Sequence, residues 1–254
     1  ISFVSLFFIV GMAAGAYLGM EAIVRFNAIM VPIIAGSYIL ILIGVSKYFN
    51  ISRLAPILGF GAYTLFVKGI SKISLFSGSI VIFFIAPYLK SYKIFKKASY
   101  SGFLISAGLL VTAAVSYLLV YTYPIATENF LPVYQLSRLF SYGRFFERIE
   151  SVFLIFWTIT ALLYLSLAMF FIVFFFKKTF GLEYYRPLIL PFAIIILNLS
   201  LLPSDIITAI KLETVYFRNL GWIVAFGLPI VLLTASLLVK KDNNKSWSEE
   251  NNEQ

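Results

Sequence analysis

Apolar residues dominate this chain in long, barely interrupted runs, without the two-residue rhythm of a half-buried strand or the narrow stripe of a surface helix. Seven such runs can be traced, at about 2–20, 28–47, 73–89, 99–123, 151–176, 186–203 and 216–239. Each reaches the roughly 17 to 25 residues that an α-helix needs to cross about 30 Å of hydrocarbon. The run SVFLIFWTITALLYLSLAMFFIVFFF shows no alternation of apolar and polar positions, which argues against the two-faced strands of an outer-membrane barrel. The pattern predicts an all-α integral membrane protein, with a helical bundle over residues 1–240 and a polar cytoplasmic tail at 241–254.

The polar stretches between the runs carry their own signals. In SRLFSYGRFFERIES, residues 137–151, charge gathers directly before a long apolar run. Written as a helix, Val133, Leu136, Leu139 and Phe140 share one face and Gln135, Ser137, Arg138 and Ser141 the other, with Pro132 suited to the first helical position. After Gly143 the apolar set becomes Phe145, Phe146 and Ile149, opposite Arg144, Glu147, Arg148 and Glu150. One continuous helix cannot lay both faces on one surface, so a turn at Gly143 is expected to join two short interfacial helices. Their charged face, with Arg138, Arg144, Glu147 and Arg148, is either a solvated waterline or a docking surface. The connection 53–72 is too apolar for a plain loop, and Pro56, Gly59 and Gly61 suggest a short interfacial or re-entrant helix. Glu21 and Arg25 are spaced for an i, i+4 ion pair at the end of the first run, as an interfacial pair or a gate. Asp205 is placed to cap the segment after Pro203.

Composition narrows the function classes. Mean hydropathy is +0.96 and only 12% of residues are charged, far from soluble domains. Cys and His are absent, which removes disulfides, thiolate or imidazole metal sites and Ser-His triads. No phosphate-binding Gly loop or paired carboxylates placed for acid/base work occur, so neither enzyme activity nor a cofactor is expected. The net charge of +9 is read as juxtamembrane Lys and Arg, not as a nucleic-acid surface. Lys90, Lys93, Lys96 and Lys97 after the third run, and Lys177 and Lys178 after the fifth, put those loops and the C-terminus on the cytoplasmic side. The chain begins at Ile1, directly in an apolar run, and is expected to be a fragment; AAGA within that run also has the small residues of a cleavage site, but no basic segment precedes it.

The segments YPIATENFLPVYQLSRLFSYGRFFERIESVFLIFWTITALLYLS and FKKTFGLEYYRPLILPFAIII, with GMEAIVR at 19–25 and the Pro-Tyr-Leu-Lys after the third run, resemble the B-subunit family of spore germinant receptors, the GerAB-type endospore germination permeases. The resemblance implies membership of the amino-acid/polyamine/organocation superfamily and a leucine-transporter-like fold of ten spans in two inverted repeats. The seven runs then correspond to the fourth to tenth spans, with about three helices upstream. It further implies a small-molecule germinant, expected to be an amino acid, bound at mid-membrane between broken first and sixth helices, in the spore inner membrane beside other receptor subunits.

By that correspondence the sixth helix is SKISLFSGSIVIFFIAPYLK, 71–90, where Ser77, Gly78 and Ser79, next to Phe76, interrupt the apolar run. Small residues there serve either close helix packing or a loosened turn whose free N–H and C=O groups hold a zwitterion. The eighth is 151–176, where Phe156, Thr160 and Tyr164 recur every four residues with Trp157 beside them, a stripe suited to helix packing or to a cavity wall. Two functions fit: a receptor subunit that senses the germinant, or a secondary amino-acid transporter using the same cavity.

Overall fold

Helix is the only regular structure that satisfies every backbone group within one segment, and it is the regular structure throughout the described residues. The computed structural model describes residues 2–55, 61, 63, 66–67, 69, 76, 78, 81–89, 91–129, 131–139, 149–217, 220–221, 223–227 and 229–236. Its chain divides into two compact units, one of residues 1–55 and 110–204, the other of 56–109 and 205–254.

The first unit begins with α1 (Ser2–Leu18) and α2 (Met20–Val45), which Gly19 alone separates. Gly19 has φ +89°, a left-handed conformation that a Cβ disfavours, so the chain reverses without a loop. As a result α2 starts eight residues before the apolar run at 28–47, and its first turns carry Glu21 and Arg25. The unit continues through the last turns of α4 (Tyr92–Val120), then α5 (Tyr123–Glu128), α6 (Pro132–Leu139), α7 (Ile149–Thr179) and α8 (Ile189–Ser200).

Helix α7 is the centre of this unit: 33% of its most apolar window is buried, against 11% for α2. Helix α1 packs along it in the same direction, since Gly11 faces Leu162 and Gly15 faces Ser166, four residues further along both helices. A Cβ on Gly11 would lie 2.5 Å from Leu162 Cδ2, and one on Gly15 would lie 2.6 Å from Ser166 Cβ. The absence of side chains is what lets the backbones come this close. Ser166 is 4% exposed, and its hydroxyl donates to the Leu162 carbonyl at 2.6 Å, so it enters an apolar seam without an orphaned donor. Ile9, Met12 and Ala16 complete the buried stripe of α1, while Met169, Phe170 and Val173 are buried on α7 and Ile189 and Ala193 on α8.

A second cluster joins Ile41 and Val45 of α2, Tyr117 and Val120 of α4 and Leu136 of α6, with Phe49, Tyr121 and Phe153 against it. Here the end of α4 is closed by the segment after α2: the Asn50 N–H donates to the Leu119 carbonyl at 3.0 Å, and the Arg53 guanidinium donates to the Leu119 and Val120 carbonyls. These carbonyls have no partner within their own helix, and a cation there also meets the negative end of the helix dipole.

The second unit contains α3 (Val81–Ile85), the first turns of α4, α9 (Ile206–Lys211) and π-helical turns at Leu212–Phe217 and Ile223–Gly227. Asp205 caps α9 as expected, its carboxylate accepting the Thr208 N–H at 2.6 Å. Helix α4 starts earlier than its apolar run because Ser91 caps it, accepting from the Ile94 N–H at 3.3 Å; Lys93, Lys96 and Lys97 therefore stand on its exposed first turns instead of in a loop.

Among the described residues three helices, Met20–Tyr48, Tyr92–Val120 and Glu150–Thr179, are long and apolar enough to cross a membrane, and Phe3–Leu18 and Arg186–Ser200 are shorter apolar helices. Leu40 and Ile43 on α2 and Leu104 on α4 are more than 60% exposed. Such surface is unfavourable in water and ordinary against lipid. The molecule is a helical membrane protein.

Candidate functional site

Helix α7 presents two faces with different surroundings. Leu162 and Ser166 form the face packed on α1, whereas the stripe of Phe156, Thr160 and Tyr164 lies about 140° around the helix at about 100° per residue. Tyr164 is 61% exposed, and Thr160 is exposed with its hydroxyl donating to the Phe156 carbonyl at 2.8 Å. That i−4 bond leaves the hydroxyl oxygen its acceptor capacity while its proton is committed to the helix. Trp157, beside this stripe, lines a recess of about 260 Å³ against α6 together with Leu131, Pro132, Val133, Tyr134, Phe153 and Leu154.

On the packed side a larger groove of about 500 Å³ runs beside the α1–α7 seam, bounded by Gly11, Gly15, Leu18 and Ala22 on one wall and Ile159, Leu163 and Ser166 on the other. Sequence reasoning did not single out these residues. The signal was present as Gly11, Gly15 and Gly19 at four-residue spacing, which places small residues on one helix face.

In the second unit Phe76 and Gly78 have 3₁₀ backbone geometry, and Val81–Ile85 is α-helix. The Phe76 ring lies 5.2 Å from that of Phe103 on α4. A Cβ built on Gly78 meets no atom within 4 Å, so the space beside it is open. Ser77 and Ser79 lie outside the described residues.

The charged candidates separate in the same way. Glu21 and Arg25 form the expected i, i+4 pair, with Arg25 Nη2 2.6 Å and Nε 3.1 Å from Glu21 Oε1. Both side chains are nearly 80% exposed, where such a pair contributes about 0.3–0.5 kcal/mol. Arg138 is exposed in the last turn of α6, near enough for its charge to act on Tyr121. Arg144, Glu147, Arg148 and the turn expected at Gly143 lie outside the described residues, as does most of 56–75. Pro132 begins α6 as expected, but Ser137 is not on an exposed polar face: it is fully buried with Leu136. Its hydroxyl donates to the Tyr134 carbonyl at 2.7 Å, which removes the penalty for burying it.

Comparison with known proteins adds to this geometry. A family described as "Spore germination protein" and designated a spore permease matches residues 1–206. Spore germination protein A2 of Bacillus subtilis (strain 168) is 30% identical over 215 residues, which take in 82% of this chain and 56% of that protein. The chain thus spans about half the length of the curated relative it matches. No solved structure matches it.

Proposed function

The chain belongs to the spore germination protein family, and from that premise we propose that it is the membrane subunit of a spore germinant receptor. It binds a small germinant, an amino acid, within a permease-like cavity of a ten-helix inverted-repeat bundle to which the seven predicted spans contribute. It acts in the spore inner membrane and passes a change of conformation to partner receptor subunits. The observation that carries this reading is the family match across residues 1–206, reinforced by the relative's 30% identity.

The turn at residues 76–79 is the proposed ligand contact. The 3₁₀ geometry at Phe76 and Gly78 supports it, because a chain leaving α geometry inside an apolar run frees N–H groups for a carboxylate and C=O groups for an ammonium. Phe156, Trp157, Thr160 and Tyr164 are proposed as a further wall, and the Glu21–Arg25 pair with Arg138, Arg144, Glu147 and Arg148 as gate or contact to partners. Sensing requires the ligand to prefer one arrangement of the bundle: moving a population from 1:99 to 99:1 takes a preference of about 10⁴-fold.

Uptake of radiolabelled amino acids by proteoliposomes carrying the full-length protein tests the reading. Saturable binding without accumulation is expected; sustained accumulation driven by an ion gradient would instead identify a secondary transporter. Gly78→Leu should abolish the response to germinant while leaving membrane insertion intact, since the open space beside Gly78 accommodates the side chain and the ligand then loses that space. An unchanged dose–response curve would remove Gly78 from the site.

A further inference from the structure

The start of α4 (Tyr92–Val120) carries charge that the helix itself does not favour. Lys93, Lys96 and Lys97 stand within its first six residues, no acidic residue occupies the first turn, and the positive end of the helix dipole lies on the same side. Lys177 and Lys178 are placed the opposite way, in the last turn of α7, where a cation meets the negative end of the dipole. The α4 lysines thus gain nothing from their own helix. Among the described residues no carboxylate pairs with any of the three, and all three are exposed.

At about 100° per residue, Lys96, Tyr100, Lys93 and Lys97 fall in that order within an arc of about 100°, with Tyr92 near its edge. The lysines therefore share one face with a tyrosine. Tyr100 is 62% exposed and Tyr92 76%, whereas Phe95 and Ser99, outside the arc, are half-buried. Depth completes the pattern, because α4 is long and apolar enough to cross a membrane. At about 1.5 Å per residue, Lys97 lies about 4–5 Å and Lys93 about 10 Å beyond Tyr100 along the axis. Tyr favours the headgroup level, and the polar layer of one leaflet is roughly 5–7 Å thick, so the lysines stand level with lipid phosphates and just outside them.

We propose that this face of α4 is a contact site for the headgroup of an anionic phospholipid, with the phosphate held by Lys93, Lys96 and Lys97 and the glycerol region against Tyr100. Charge complementarity selects the occupant: a purely apolar face meets any lipid alike, whereas three ammonium groups without an ion-pair partner discriminate by headgroup charge. The proposal does not depend on the germinant reading.

Quenching of a single indole by lipid reads the site. With Trp157→Phe, Trp222→Phe and Trp247→Phe in place, Tyr100→Trp sets the one indole of the chain within the arc. The full chain is reconstituted in phosphatidylcholine with increasing fractions of brominated phosphatidylglycerol or, in parallel, brominated phosphatidylcholine. The expected result is a preference for phosphatidylglycerol of at least ~10-fold at low salt, since each lysine near an anionic surface contributes about fivefold. Lys93→Gln, Lys96→Gln and Lys97→Gln together should bring the ratio close to one, and Lys177→Gln with Lys178→Gln should leave it unchanged. Neutral side chains at the start of α4 relieve the clash with the dipole, so unchanged helical circular dichroism is expected in the triple variant. Equal quenching by the two lipids overturns the proposal, as does a preference that survives the triple substitution. Displacement by inorganic phosphate, but not by sodium chloride of equal ionic strength, would assign the lysines to a soluble anion and overturn it too. A preference that emerges only on deletion of residues 242–254 would mean that Asp242, Glu249, Glu250 or Glu253 already holds the lysines, with the same consequence.

Discussion

Along the seam between α1 and α7, Gly11 and Gly15 meet Leu162 and Ser166 so closely that no Cβ fits without movement, whereas the cluster around Val45, Tyr117 and Leu136 is closed by polar groups reaching across from Asn50 and Arg53 to the end of α4. The seam is held by fit. Lipid offers no hydrophobic gain on bringing two apolar helices together, so close backbone packing and dispersion must supply the attraction. The cluster solves a different problem, the unpaired carbonyls of a helix end, and uses donors to do so. Tyr117 shows where that solution stops: its side chain is 4% exposed and its hydroxyl has no partner among the described residues.

If fit and polar closure are really separate, they should break separately. The largest effect is expected at the seam, where Gly15→Val forces a branched side chain against Ser166 and should destabilise the protein by about 3 kcal/mol. Thermal unfolding in detergent measures it, and Ser166→Gly, by removing the atoms that Gly15→Val would strike, should recover a substantial part of the loss. Additive effects of the two substitutions would mean that the contact is not what limits residue 15. A smaller change, about 2 kcal/mol, is expected for Arg53→Met, which keeps the apolar stem but removes the guanidinium from the Leu119 and Val120 carbonyls. Amide exchange should then rise in the last turn of α4 while α1 and α7 stay protected.

The smallest effect concerns Asp205, where capping stands without any burial. Accepting the Thr208 N–H holds this carboxyl below its ordinary range. A depressed folded-state pKa means that the stabilisation is fully present above the unfolded carboxylate pKa and is lost as pH falls through the folded value. Acidification should therefore lower the protection factors of α9 amides in the native protein, and Asp205→Asn, whose cap does not titrate, should show little pH dependence there. A native profile as flat as that of Asp205→Asn would separate the cap from the carboxylate charge.

Features that depend on neighbours in sequence were legible beforehand. Pro132 at the start of α6, the Glu21–Arg25 pair and the Asp205 cap all arise within four residues of chain. Helix starts were less legible where a single residue decided them. Gly19 reverses the chain without a loop and Ser91 caps α4 ahead of its lysines, so both following helices begin well before their apolar runs. Ser137 was misplaced because its hydroxyl is satisfied by Tyr134 one turn back, which lets a polar residue point inward. The faces of α7 were least legible. Apolar residues surround that helix, so no periodicity marks Leu162 and Ser166 as packed or Trp157 as turned toward α6.

Membrane class, helical content and local caps follow from the residues alone, because hydrogen bonding within a turn and the length of an apolar run are properties of contiguous chain. Which face of α7 meets α1, and which is left for Tyr134 and Trp157 to share, came only with the fold. A side chain that faces lipid and one that faces another helix meet equally apolar surroundings, so hydrophobicity carries no record of the difference, and only the shapes brought together across the seam decide it.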